Sequence, residues 1–418
     1  MINLAPLRKR AKKLLDWWAL PREAILECRR DRQGLRRDAP DIEQALAAAS
    51  DWLELAQDRS KSSDGGVARH YSLVDGWAAS YPETSGYIVP TFLELARRTR
   101  HEKLQKRARR VLDWLVSIQL DDGAFQGGPI GSEPVLPAVF DTGQILMGLA
   151  AGVKEFGAEN YGKAMNRAAD WLLHAQDKDG SWPQEIAPFA MPGAKAYETH
   201  VAWGLMEAFR ASGDQRYLDS ALANVKWAIG LQRGNGWFDR CCLTDHNQPL
   251  THTLGYALRG IVEAFLISRD PVYLASAQKC ADGLLSAVRP DGALPGRLDC
   301  RWKAAAPWTC LTGNVQIAIS WLLLYRETRN AAYREAAYRS NAFVRRTMRL
   351  DGPPEQRGGI KGSFPVDGSY GKFQYLNWAC KFFIDSHLLE QDVRREDASL
   401  ARETIHGPRG TKEVVGKP

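Results

Sequence analysis

The sequence predicts an all-α chain folded as an (α/α)6 toroid, six helical hairpins closed into a ring, with a helical extension at its N-terminus. Three observations carry this. Asp-Gly or Asn-Gly recurs at Asp64-Gly65, Asp122-Gly123, Asp179-Gly180, Asn235-Gly236, Asp291-Gly292 and Asp351-Gly352, so the glycines stand 56 to 60 residues apart. Ahead of four of these turns lies a glutamine, Gln57, Gln119, Gln176 and Gln232, with Val288 and Met348 in register in the last two copies. Five residues further upstream, a large ring fills five of six copies: Trp52, Trp114, Trp171, Trp227 and Phe343, with Gly283 the exception. A fixed period of this length marks a repeat of one supersecondary unit whose neighbours bury a shared core.

Each copy reads as two helices. The first, as in "YGKAMNRAADWLLHAQ", has apolar residues at helical spacing with charges between them, which suits one wet face. Asp-Gly or Asn-Gly then supplies a residue able to take positive φ, and the helix stops. The second, as in "ETHVAWGLMEAFRASG", "DTGQILMGLAAGVKEFG" and "LTGNVQIAISWLLLYRE", is apolar or small on most sides and so buried on most sides. The spacing predicts outer helices over 41–57, 103–119, 160–176, 216–232, 273–288 and 332–348. Inner helices are predicted over 84–98, 141–156, 198–212, 252–268, 311–327 and 377–391.

At 418 residues the chain exceeds the usual size of one domain, but six hairpins occupy residues 41–393 and leave no room for a second core. Residues 1–40, with "RKRAKK" and "RRDRQGLRR", read as one or two helices packed outside the ring or across one mouth. Residues 394–418 contain few apolar residues and are expected to be a disordered tail. No run of apolar residues is long enough to span a membrane, and no signal-peptide pattern opens the chain. Seven cysteines in a long chain read as buried free thiols, and a cytoplasmic location is expected. The net charge of +7 is read as solvated surface, because no nucleic-acid motif accompanies it. A basic first helix bearing Trp17 and Trp18 leaves contact with an anionic membrane surface as an alternative to docking on the ring.

The string "QDKDGSW" resembles the Gln-x-x-x-Gly-x-Trp repeat of squalene and hopene cyclases and of their protein-prenyltransferase relatives, and "QLDDGAFQGGPIGSEPVLPAVFDTGQILMGL" is similar to prenyltransferase repeats. The resemblance spans about 350 residues and is specific for architecture. The same six-hairpin toroid also resembles carbohydrate-active enzymes: unsaturated uronyl hydrolases, sugar 2-epimerases, glycosidases and polysaccharide lyases. "GSWPQ" is similar to loops of pectate-lyase-type toroids. Fold does not fix function, so the decision rests on the site.

Each repeat loop runs into the start of an inner helix, so these starts share one rim. In register they carry Glu83, Asp141, Glu198, His252, Leu311 and Asn377, followed by Thr84, Thr142, Thr199, Thr253, Thr312 and Trp378. The threonine column is expected to cap helix N-termini. The acids are the catalytic candidates: carboxylates on adjacent helices 8–10 Å apart could flank a glycosidic bond as general acid and water-activating base. His252 offers proton abstraction beside a carbonyl or carboxylate, as elimination or epimerisation requires. Rim residues expected to bind substrate are Trp77, Tyr81, Trp182, Tyr197, His200, Trp237, Arg240, Tyr256, Arg301, Trp308, Asn314 and Asn377. Further rim cations, Arg69, Arg297, Lys303, Arg357, Lys361 and Lys372, and the rings of Trp302 and Phe364 favour an acidic glycan, because Arg pairs with carboxylates in a two-pronged way.

The leading expectation is therefore a carbohydrate-active enzyme, a glycoside hydrolase or a polysaccharide or oligosaccharide lyase, acting on an acidic or modified glycan, with bacterial polysaccharide metabolism as its setting. A sugar or uronate epimerase is its variant. A terpene-cyclase or prenyltransferase-like enzyme is a weaker alternative, since neither Asp-x-Asp-Asp nor Asp-Asp-x-x-Asp occurs. A non-catalytic glycan- or peptide-binding toroid is the alternative outside enzymes. No cofactor is expected. Zinc is the one metal weighed, on Cys241, Cys242, His246, His252, Asp299, Cys300 and Cys310, but no C-x2-C or H-x3-H spacing supports it.

Overall fold

The computed structural model of the protein describes residues 19–183 and 191–406, with side chains to residue 402. "RKRAKK", Trp17, Trp18 and the Gln184 of "GSWPQ" lie outside the described residues. The described helices are α1 (Arg22–Arg32), α2 (Ile42–Asp58), α3 (Pro82–Thr99), α4 (Glu102–Ser117), α5 (Val139–Phe156), α6 (Glu159–Ala175), α7 (Thr199–Ser212), α8 (Gln215–Ile229), α9 (Thr251–Ser268), α10 (Pro271–Ala287), α11 (Leu311–Thr328), α12 (Ala331–Thr347) and α13 (Asn377–His406). From α2 onward they alternate outer and inner. The inner helices α3, α5, α7, α9, α11 and α13 pack in sequence, and α13 returns to α3 and α2, so the ring closes. This is the α/α toroid.

The repeat has a mechanical explanation. Each repeat glutamine is a tie: Gln176 Nε2 donates to the carbonyl of Gly180 in its own turn and to that of Ser220 on the next outer helix. Gln57, Gln119 and Gln232 make the same pair of bonds, to Gly65 and Arg107, Gly123 and Ala164, and Gly236 and Ser276. The turn glycine combines positive φ with a close approach. A Cβ on Gly180 would stand 2.5 Å from Ala223 O of the next outer helix, and one on Gly236 2.1 Å from Lys279 O. In the sixth copy the glycine with this role is Gly358, whose Cβ would fall 1.9 Å from Ala48 O of α2, rather than Gly352, which meets only its own Arg349. The missing ring at Gly283 is also accounted for: Trp302 from the following loop occupies that space, its ring atoms 2.2 Å from where a Cβ would lie.

The inner ring is narrow because its interfaces are glycine. A Cβ on Gly148 would stand 2.3 Å from Gly86 O, one on Gly204 2.1 Å from Gly143 O, and one on Gly260 2.1 Å from Thr199 O. These contacts draw α3, α5, α7 and α9 together along the lumen. On one side of the ring the hairpins connect through short turns whose helix ends at Arg100, Gly157, Gly213, Arg269 and Arg329 are left-handed. On the other side lie the long loops. There β1 (His70–Ser72) pairs antiparallel with β2 (Gly76–Trp77) and with β5 (Gln374–Leu376), joining the first loop to the last. A second pair joins β3 (Thr309–Cys310) to β4 (Ser363–Phe364).

Two expectations are corrected. The chain after residue 394 is helical to His406, because Val393 is buried and the acidic residues beyond it find bases: Arg326 pairs with Glu396, and Asp397 accepts from Tyr325 Oη and Arg334; the rest of the expected tail, 407–418, lies outside the described residues. The threonine column does not cap the helices it opens. Thr142 Oγ1 accepts Phe125 N–H, Thr199 Oγ1 donates to Tyr256 and Ala257 carbonyls of α9, and Thr253 Oγ1 donates to Cys241 O, so the column ties loops and neighbouring helices instead. No described helix is long and apolar enough to cross a membrane.

Candidate functional site

On the loop side, the first turns of the inner helices surround a cavity of about 160 Å³. Helix α3 contributes Glu83, Thr84 and Tyr87, with Tyr81 just ahead of it. Helix α5 contributes Phe140 and Asp141, and α9 contributes His252, Thr253 and Tyr256. Arg69, Tyr197, Leu243, Tyr370 and Trp378 complete the wall from loops and from the start of α13. Helical spacing explains the pairs: Tyr87 stands four residues after Glu83 and Tyr256 four after His252, so each phenol lies one turn below its rim partner.

The polar groups are fixed in different ways. Asp141 Oδ1 accepts the Gly128 N–H at 3.1 Å and is nearly fully buried. Tyr81 hydrogen bonds to Glu83. Burial, followed by the negative charges of Asp141 and Glu83, holds the Tyr81 phenol well above its usual range, so it is a donor at neutral pH. Tyr256 and Tyr370 are raised the same way, burial first. His252 Nδ1 lies 2.8 Å from Gln316 Oε1, an arrangement in which Nδ1 carries the proton and Nε2 the lone pair. Burial pulls His252 down to about 4, so the ring is neutral at pH 7. The Arg69 guanidinium lies over the rings of Trp378 and Tyr81, 5.1 and 5.7 Å from their centroids. It is the cationic side chain among those lining the cavity, which also holds two carboxylates.

Of the residues expected to form a site, Glu83, Asp141, His252, Tyr81, Tyr197 and Tyr256 come together here. His200 lies just beneath, buried, with Nδ1 2.6 Å from Gln144 Oε1 and its ring 4.2 Å from that of Tyr256. Glu198 is not on the wall. It ends a 3₁₀ turn, Ala196–Glu198, where its counterparts Glu83 and Asp141 lie in α-helical first turns, and it is fully buried. The loop aromatics mostly seal hairpins. Trp182 is in the core with Nε1 bonded to Leu172 O; Trp237 packs edge-on to Trp302; Trp308 fills a small cluster with Cys242, Leu250 and Cys310. Trp77, in the β1–β2 hairpin, packs its ring at a tilt against Tyr71 of the same hairpin and Trp52 of α2.

Asn314 and Asn377 are loop ties: Asn314 bonds Leu294 N–H and Gly292 O, and Asn377 donates to Ala68 O and Thr84 Oγ1. Arg240 is exposed at a left-handed position, and Arg301 is exposed beside Asp299. The seven residues weighed for zinc do not assemble; among the described residues no three His, Cys, Asp or Glu groups form a metal-binding set. Sequence register missed Tyr87, Phe140, Leu243 and Tyr370. The first two could have been found from their spacing to Glu83 and Asp141. Tyr370 could not, because it sits in an irregular loop outside the period.

Comparison with known proteins agrees with the architecture. The family model for the squalene-hopene cyclase C-terminal domain matches residues 83–263, less than half of the chain. No curated protein sequence matches. Among solved structures, an unsaturated glucuronyl hydrolase specific for heparin superposes with a TM-score of 0.68 at 15% identity, covering 85% of this chain and 98% of that one. A variant of the unsaturated glucuronyl hydrolase of Streptcoccus agalactiae, complexed with dGlcA-GalNAc6S, superposes at 0.61 with 11% identity, over 85% of this chain and 94% of that one. D-mannose isomerase superposes at 0.66 with 13% identity, over 83% and 97%. At these identities the likeness establishes the fold.

Proposed function

We propose that this protein is a carbohydrate-active hydrolase that removes a terminal acidic sugar from an oligosaccharide. The observation that carries the reading is the convergence of Glu83, Asp141 and Arg69 on one small aromatic cavity. A volume of about 160 Å³ is below the range of sites that take whole drug-sized ligands, and it suits one ring rather than a stretch of chain. Arg69 meets the sugar carboxylate, while Trp378, Phe140 and the tyrosines offer ring faces and phenol donors to its hydroxyls. One of Glu83 and Asp141 gives a proton to the oxygen of the departing sugar. The other takes a proton from the attacking water, whose oxygen bonds to the acidic sugar. That structural neighbours at low identity include a glucuronyl hydrolase complexed with an acidic disaccharide supports the substrate class. The cyclase alternative is not favoured by a pocket holding two carboxylates and an arginine.

A second reading rests on His252. A neutral imidazole with Nδ1 fixed by Gln316 presents Nε2 as a base, which suits proton transfer next to a sugar carbonyl, as in an isomerase or epimerase. One experiment separates the two. The protein is incubated in D2O with oligosaccharides ending in saturated or unsaturated uronates, and with neutral and free sugars. Hydrolysis yields a free acidic sugar and a new reducing end, with loss of ultraviolet absorbance for the unsaturated substrates. Isomerisation yields carbon-bound deuterium and no new end. Turnover of neutral glycans alone would overturn the acidic-sugar reading.

A further inference from the structure

Helix α1 stands outside the six-hairpin repeat, yet it buries two carboxylates against the last long loop. Glu27 and Asp31 share one ammonium, Lys361, and all three side chains are at most 5% exposed. Lys361 Nζ lies 2.9 Å from Glu27 Oε1 and contacts Asp31 Oδ1, while Asp31 Oδ2 accepts the Val366 N–H at 2.8 Å. Arg349 reaches Glu27 at 3.4 Å, and Arg32 holds Asp367 at 2.8 Å. Two buried acids on one lysine are costly to assemble in apolar surroundings, and hydrophobic packing would fill the same space with less penalty. A ring that already closes through α13 and α2 does not need this contact for closure.

The loop held this way carries a wall of the cavity. Phe373 N–H donates to Val366 O, and Ser363 Oγ donates to Tyr370 O and accepts Tyr370 N–H. Tyr370 Oη accepts Trp378 Nε1–H at 2.8 Å, and its ring lies 5.3 Å from that of His252. The clasp therefore fixes both ends of the backbone from Lys361 to Val366, and within that stretch Ser363 holds Tyr370 by two hydrogen bonds. We infer that Lys361, clasped by Glu27 and Asp31 of α1, is a positioning residue that sets Tyr370 over the cavity, so that the N-terminal helix determines how tightly the terminal sugar is enclosed. The consequence for substrate rests on the proposed function; the clasp itself does not.

The test compares Lys361→Met and Lys361→Arg in the full chain. Hydrogen–deuterium exchange of residues 362–376 is read together with KM and kcat on a uronate-ended oligosaccharide. The expected result for Lys361→Met is exchange at least tenfold faster in that segment, with α3, α5 and α9 unchanged, and a KM raised about tenfold with a smaller change in kcat. Lys361→Arg, which keeps the charge, should restore most of the protection. Should Lys361→Met fail to fold, Asp31→Asn reads the same segment, since it keeps the shape and the Glu27–Lys361 pair. Exchange that stays at the wild-type rate in 362–376, or rises evenly over the whole ring, overturns the clasp. Absent turnover in the wild type with a loosened segment in the variant would count against the proposed function alone.

Discussion

Replacing Gly204 by alanine tests whether the lumen owes its width to glycine contacts. A Cβ at this position would lie 2.1 Å from Gly143 O, about 1 Å inside the 3.0 Å that real Cβ atoms keep. The obstacle is backbone, so no side chain can swing away and α5 and α7 must part. Alanine would by itself favour the helix by about 1 kcal/mol. Overpacking of a close interior contact costs about 1–3 kcal/mol, and a clash with backbone belongs at the upper end. The net expectation is a loss of about 2 kcal/mol, which for a chain of 418 residues lowers the melting temperature by about 2 °C. Gly162 on outer helix α6 is the control: nothing lies within 4 Å of its would-be Cβ, so Gly162→Ala should gain about 0.5–1 kcal/mol. Urea unfolding of both variants measures the pair. A Gly204→Ala protein as stable as Gly162→Ala would refute the close-packed inner ring.

Other outcomes follow from the same geometry. Gln176→Ala removes two bonds to the carbonyls of Gly180 and Ser220, and should cost about 1–3 kcal/mol in urea unfolding, with Gln119→Ala matching it. Asp141→Asn and Glu83→Gln should each lower kcat by about 10² to 10⁴ while shifting the urea midpoint little; a small added nucleophile such as azide should restore turnover only to the variant lacking the base. Arg69→Gln should raise KM for uronate-ended substrates and leave neutral ones unchanged, read by steady-state kinetics. His252 and His387 titrate at about 4 and about 3 in the folded chain, below the unfolded value of 6.5, both through burial first. As pH falls through 6.5 the unfolded state takes up protons first, so stability drops from neutral pH down to about 4, where His252 itself protonates. His252→Gln should remove about 3 kcal/mol of that loss, measured as the difference in unfolding free energy between about pH 7 and about pH 4.

The hairpins were legible because each repeat glutamine and glycine acts on the neighbouring copy, so the period in the chain is the period of the ring. The sixth copy was the hardest to read: its long loop moves the tight glycine to Gly358, and charged residues after 394 hid a helix that pairs with Arg326 and Arg334. Half of the cavity was legible for the same reason, since residues opening successive inner helices share one rim. Glu198 broke that rule through a 3₁₀ turn. Loop tryptophans such as Trp182 and Trp237 carry no periodic sign of whether they seal a hairpin or face a ligand, and in both the indole is buried. The α1 clasp depends on contacts between residues more than 300 positions apart, which no local pattern encodes, and Tyr370 lies in an irregular loop outside the period.

The most direct measurement is a crystal structure of Asp141→Asn protein soaked with a uronate-ended oligosaccharide. The terminal ring is expected in the cavity between α3, α5 and α9, with its carboxylate on Arg69 and its glycosidic bond between Glu83 and residue 141. A sugar bound elsewhere on the ring, or in this cavity with its carboxylate turned away from Arg69, would contradict the proposed function.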